Sequence, residues 1–149
     1  MIEWNEILKT RDQLKILLLQ IRDGEQVRRE EHQSFADYCG VSVAQIDILN
    51  VFDTPEFAVD AADNYDALIV GGASEANVLK PEQFSFVAQS QKLIRHCGEI
   101  SKPVFASCFG FQLAILALGG EILHRDVDFE MGTLPISLAE STADDLLYH

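Results

Sequence analysis

Positive charge is scarce in this sequence. Eleven lysines and arginines stand against 24 aspartates and glutamates, a formal net charge of -13, and a chain so acidic repels phosphate backbones and anionic lipid surfaces. Nucleic acid and membrane are therefore not expected as partners. Long hydrophobic runs are missing as well: LKILLLQI, residues 14–21, is the most apolar strand candidate, far short of the ~20 residues that span a bilayer. Met1-Ile2-Glu3-Trp4 lacks the basic start and apolar core of a secretory leader, and a cytoplasmic protein is the expectation. Cysteine is sparse and odd in number. Cys39, Cys97 and Cys108 fit neither a zinc ribbon nor a C-x-x-C redox pair, so free thiols are expected. His96 and Cys97 are adjacent near a helix end, point in different directions and have no second pair nearby, so no metal site is expected. With only four prolines and nine glycines, nothing suggests a low-complexity linker or a disordered chain.

What remains is an ordinary globular composition in one domain. A chain of 149 residues buries roughly 70% of the surface its unfolded form exposes, enough for a proper core. Residues 14–21 read as a strand buried on both faces, hence central and parallel. Residues 25–38 follow as a helix closing at Gly40, and its charge run RREEH reads as a solvated face. Strands are expected at 46–52 and 65–72, separated by a polar segment around Pro55 and Asp60. A helix over 82–97 is expected to begin near Pro81 and stop at Gly98. A fourth strand spans 103–107, and a helix over 109–118, apolar on almost every side and closed by Gly119-Gly120, is expected to be buried all round. Shorter extended pieces are expected at 121–123 and 133–138. Strand alternating with helix implies a three-layer α/β/α sandwich with a mostly parallel central sheet. Ligands in such sheets bind at the carboxyl ends of the strands, where Gly71-Gly72 and Cys108 both fall.

Cys108 stands at a strand-to-helix junction, in a turn that leaves no room for bulk two residues to either side. Those neighbours are Ala106 and Gly110. Were Ser107 the nucleophile, they would be Phe105 and Phe109, so the geometry selects Cys108. Unpaired N–H groups and the positive end of the helix dipole favour a thiolate there, and the N–H of Phe109 points toward an oxyanion formed on attack at a carbonyl. A second donor can come from Gly72, where a glycine lets backbone approach a substrate closely.

Together these residues resemble the class I (triad-type) glutamine amidotransferases. The motif similar to G-x-C-x-G-x-Q reads Ala106-Ser107-Cys108-Phe109-Gly110-Phe111-Gln112, followed by a helix ending in Gly-Gly. Gly71-Gly72 matches the oxyanion strand end, and EMGTLPISL, residues 130–138, resembles E-x-G-x-x-P-[VI]. Ala106 replaces the usual Gly, and Ala73 stands where Pro is frequent after Gly-Gly. The resemblance implies a flavodoxin-like fold, Cys108 as nucleophile, Gly72 and Phe109 as the oxyanion hole, Gln112 as a substrate-positioning residue, and no cofactor. It implies glutamine or a γ-glutamyl small molecule as ligand, and leaves open a homo-oligomer or an ammonia-accepting partner. Among subfamilies, the likeness is to stand-alone GMP synthase-like proteins.

The family's His-x-Glu pair, base and orienting carboxylate, has no counterpart in order. His149 has nothing after it. His32 and His96 read as surface residues, and His124, with Asp126 two positions on, precedes the E-x-G segment. The expectation is a single domain over 1–149 that is C-terminally incomplete and weak or inactive. The rival is a non-catalytic α/β domain that keeps the scaffold for binding or assembly. A nucleotide-binding flavodoxin-like reading ranks below both, because Gly71-Gly72-Ala73-Ser74 is no G-x-G-x-x-G loop.

Overall fold

A computed structural model describes residues 9–124 together with residues 127, 135, 137, 138, 140 and 142. Four strands, β1 (Ile16–Gln20), β2 (Ile46–Asn50), β3 (Ala67–Val70) and β4 (Val104–Ala106), alternate with three helices, α1 (Glu25–Cys39), α2 (Phe86–Glu99) and α3 (Phe109–Ala117). The strands form one parallel sheet in the order β2-β1-β3-β4. β1 is central, and its five residues are all buried, because Leu18 lies between Ile48 on one side and Ile69 on the other.

Side-chain alternation divides the core between two faces. Leu17 and Leu19 of β1 and Leu68 and Val70 of β3 pack with Phe86 and Leu93 of α2 and Leu113 of α3. Ile16, Leu18, Ile46 and Ile69 face the other way, against Ala36 and Phe35 of α1. The architecture is thus a three-layer α/β/α sandwich around a parallel sheet. Each large aliphatic side chain removed from water contributes about 1.5–3 kcal/mol, and most of the fully buried ones lie on the α2/α3 face.

Several boundaries differ from the sequence expectation. β3 is shorter than 65–72, because Asp66 is already committed to Lys9 and the Lys15 N–H and Gly71-Gly72 begin the loop. α2 starts at Phe86 rather than near Glu82, since turns built on Asn77 and Lys80 carbonyls occupy the residues around Pro81. It runs through Gly98, and Ser101, in the left-handed region at φ 57°, follows its end. α3 is not buried all round. Phe109, Leu113 and Ala117 are buried while Phe111 and Leu118 are 56% and 74% exposed; among the described residues α3 packs mainly on α2 and β4. Residues 121–123 form no strand, and the extended piece expected at 133–138 falls largely outside the described residues. No helix among the described residues is long and apolar enough to cross a membrane.

Candidate active site

The carboxyl ends of β1, β3 and β4 converge on a turn whose strained residue is Cys108. Its backbone sits at φ 51°, ψ -109°, a conformation that non-glycine residues rarely adopt and that concentrates at functional sites. Neighbouring hydrogen bonds fix it there. The Ser107 N–H donates to the Val70 carbonyl at 3.0 Å, and the Gly110 N–H reaches the Gly71 and Ser107 carbonyls at 3.1 and 2.8 Å. Gly110 has no substitute: a Cβ there would stand 2.5 Å from the Val70 carbonyl oxygen. The first turn of α3 is thereby pressed onto the end of β3, and the Cys108 side chain is left exposed.

Of the residues singled out in the sequence, four come together. A Cβ on Gly72 would stand 3.6 Å from the Cys108 Cβ. Phe109 opens α3, and Gln112 lies one turn on, its N–H donating to the Cys108 carbonyl at 3.2 Å. Two cavities meet at the thiol. One, of about 330 Å³, is lined by Cys108, Phe109, Gln112, Asn77 and His124. The other, of about 680 Å³, is lined by Cys108, Gly72, Arg22, Glu31, Phe35 and Phe105, with others. Phe35 and Phe105 meet edge to face there, their ring centroids 6.4 Å apart.

The remaining histidines and cysteines have other places. His32 bonds the Ile46 carbonyl through Nε2 at 2.9 Å, and His96 bonds Asp63 at 2.8 Å. Both are half-buried rather than plain surface residues. Cys97 is buried, and burial pushes its thiol up from the ordinary range, with Lys102 opposing and Asp63 adding to the shift. Cys39 is exposed on α1. Asp126 and Glu130 lie outside the described residues, as does most of the E-x-G-x-x-P segment. Among the described residues no group of three or more His, Cys, Asp or Glu is placed to hold a metal ion.

Glu31 is the residue the sequence reading passed over. It belongs to the charge run RREEH, yet its side chain is 9% exposed. Its Oε1 accepts from Arg22 Nε at 3.0 Å and from the Gly72 N–H at 3.2 Å. Arg22 in turn donates through Nη1 to Ser74 Oγ at 3.1 Å. Glu31 Oε2 is buried with no hydrogen-bond partner among the described residues. Arg28 of the same run also turns from the solvated face, its Nε donating to the Arg22 carbonyl and its Nη1 to Asp53. The signal for Glu31 was its spacing: with Val27 and Phe35 it forms an i, i+4 line on the apolar side of α1.

A parallel α/β sandwich with a strained cysteine between strand and helix, facing a Gly-Gly strand end, has the framework on which thiols attack carbonyl groups. The glutamine amidotransferase class-I family profile matches residues 31–148, well over half of the chain, and the protein belongs to that family. It is also similar to the glutamine amidotransferase-like protein L716 of Acanthamoeba polyphaga mimivirus, at 33% identity over 76 residues. Those residues are 51% of this chain and 36% of that relative, so the match spans little more than a third of the viral protein's length.

Proposed function

We propose that this chain carries the acyl-accepting half of a glutamine amidotransferase, with Cys108 as nucleophile toward the side-chain amide of glutamine or a γ-glutamyl relative. The carrying observation is the Cys108 backbone, held at positive φ within reach of Gly72. The thiolate sulfur attacks the amide carbon, forming the C–S bond while the carbonyl electron pair moves onto oxygen. The N–H groups of Phe109 and Gly72 are the proposed donors to that oxyanion. Collapse breaks the C–N bond, the nitrogen takes from solvent water a proton equivalent to the one the thiol gave up and leaves as ammonia, and a thioester remains. Gln112, in the smaller cavity with Asn77, is the proposed anchor for the polar end of the substrate.

The reading assigns no base. In the sequence, the one histidine after His124 is His149, and His124, which shares the smaller cavity with Cys108, is followed two positions on by Asp126 rather than Glu. Losing the base of a comparable triad costs about 10⁶ in turnover and leaves roughly 10³ to 10⁴ over water. The 149-residue chain is therefore proposed to be poor in turnover while still able to form the Cys108 adduct, and its proper acceptor of ammonia to be another protein or domain.

Two measurements on the purified chain test this, ammonia release from glutamine and the mass of the covalent adduct with a glutamine-like chloroketone. The expected result is a stoichiometric adduct at Cys108 that is absent from Cys108→Ala, with ammonia release far below ~1 s⁻¹. An adduct elsewhere, or none, removes the nucleophile assignment and favours the non-catalytic scaffold. Fast release dependent on both Cys108 and His124 would assign the base to His124.

A further inference from the structure

We infer that Glu31 gates the oxyanion donor: its carboxylate holds the Gly72 N–H, and it has to withdraw before the oxygen of an attacked carbonyl can take that N–H. The inference rests on the reading of Cys108 as the nucleophile and of Gly72 as a donor. One backbone N–H here faces two claimants of the same sign. The carboxylate is the occupant, at 3.2 Å, and an oxyanion formed at Cys108 would approach the same glycine, whose Cβ position lies 3.6 Å from the Cys108 Cβ, from the cavity that Glu31, Gly72 and Cys108 line together. Both cannot be bonded strongly by it, and two negative groups side by side repel.

Three observations separate a gate from a simple strut. A strut would have both carboxylate oxygens satisfied, whereas Glu31 Oε2 is buried with no hydrogen-bond partner among the described residues, a state that costs free energy and favours any conformation that relieves it. The seat of the carboxylate uses the room that Gly71 leaves, since a Cβ there would stand 2.9 Å from each oxygen of Glu31 and push it aside. Room to withdraw is also present, for Glu31 borders the cavity of about 680 Å³ that opens at Cys108. Arg22 is the counterpart, joining Glu31 to Ser74 of the loop after β3. With Glu31 withdrawn, its guanidinium remains beside Gly72, where Nη2 lies 3.0 Å from the glycine's Cβ position. There it favours an oxyanion rather than opposing it.

The gate is read out by comparing two electrophiles on the full chain. Iodoacetamide alkylates a thiolate by substitution at a saturated carbon and develops no oxyanion, whereas p-nitrophenyl acetate acylates it through one. The ratio of the two rate constants at Cys108, measured by mass spectrometry with Cys108→Ala as blank, isolates the oxyanion donor from thiol exposure and ionisation. Glu31→Gln is expected to raise the acylation-to-alkylation ratio about tenfold, the size of one hydrogen bond to a charged group, and the control Glu30→Gln to leave it unchanged. Gly71→Ala, which keeps the charge but crowds the carboxylate off its seat, is expected to shift the ratio the same way and stands in if Glu31→Gln does not fold. A ratio that falls or stays constant in folded variants overturns the gate, because a strut that merely positions Gly72 would make acylation worse when removed. Failure of iodoacetamide to modify Cys108 in the unaltered chain is a different result and takes down the nucleophile reading beneath it.

Discussion

The two ends of the parallel sheet each include a carboxylate paired with a cation, Asp66 with Lys9 and Glu31 with Arg22, and the two are built differently. At the amino end, Asp66 has both oxygens partnered, Oδ1 by the Lys9 ammonium at 2.5 Å and Oδ2 by the Lys15 N–H at 2.8 Å. These bonds hold its carboxyl below the ordinary range. At the carboxyl end, Glu31 is more buried, yet one oxygen has no hydrogen-bond partner among the described residues and the other accepts from Arg22 and from a loop N–H. The same end contains Cys108 at positive φ and glycines whose missing Cβ atoms would meet Val70, Glu31 or Arg22. Ser101, the other non-glycine residue at positive φ among the described residues, lies just after α2, where a left-handed residue is an ordinary way for a helix to finish. The unpartnered Glu31 oxygen and the Cys108 backbone at positive φ thus share the end of the sheet at which ligands bind in such folds. The fully bonded carboxylate stands at one end, and the strained cysteine at the other.

The strongest way to break this contrast is to relax the strained end by force. Gly110→Ala places a methyl 2.5 Å from the Val70 carbonyl oxygen and 2.9 Å from its carbonyl carbon, backbone that cannot swing aside, and is expected to destabilise the chain by about 3 kcal/mol, read by urea denaturation. A cost under about 0.5 kcal/mol would mean that α3 does not press on β3. A smaller effect of opposite sign sharpens it. Cys108→Gly should be more stable than Cys108→Ala by about 1 kcal/mol, since glycine alone takes φ 51° without strain, and equal stability would remove the strain from the account.

The smallest effect belongs to the relaxed end. Because the Asp66 carboxyl is depressed on folding, first by the Lys9 contact and then by the Lys15 N–H, its contribution is present above the unfolded carboxyl value of about 3.9. It is lost as pH falls through the folded value. Asp66→Asn should therefore lower the melting temperature near neutral pH by an amount worth about 1 kcal/mol or less, and the difference from the unaltered chain should close toward pH 2. A difference that persists or grows in acid would assign the effect of Asp66 to something other than its charge.

Much of the scaffold was legible because it obeys local rules. LKILLLQI suits a strand covered on both faces, and the small residues at 106 and 110 mark the turn around Cys108. The start of α2 was less legible. Pro81 is a good first-turn residue, but the carbonyls of Asn77 and Lys80 are used by turns instead, a choice made by tertiary packing. Burial around α3 was over-read because an apolar helix states what it would bury, not what covers it. Glu31 was hidden by its neighbours: Arg29 and Glu25, paired at 2.8 Å on the exposed side, and Glu30 share its composition but not its face. Only the line through Val27 and Phe35 distinguishes it, and a charge on such a line gives no partner until the fold brings Arg22 and Gly72 to it.

The central claim is that Cys108 is the thiol built to receive a glutamine carbonyl, and the most direct test is site-resolved alkylation with and without glutamine. Cys39 is the internal control for exposure and Cys97 for burial. Under limited iodoacetamide, the account predicts that Cys108 is modified first, that Cys97 reacts only on unfolding, and that saturating glutamine slows Cys108 while leaving Cys39 unchanged. Faster modification of Cys39 than of Cys108, together with no protection by glutamine, would contradict it.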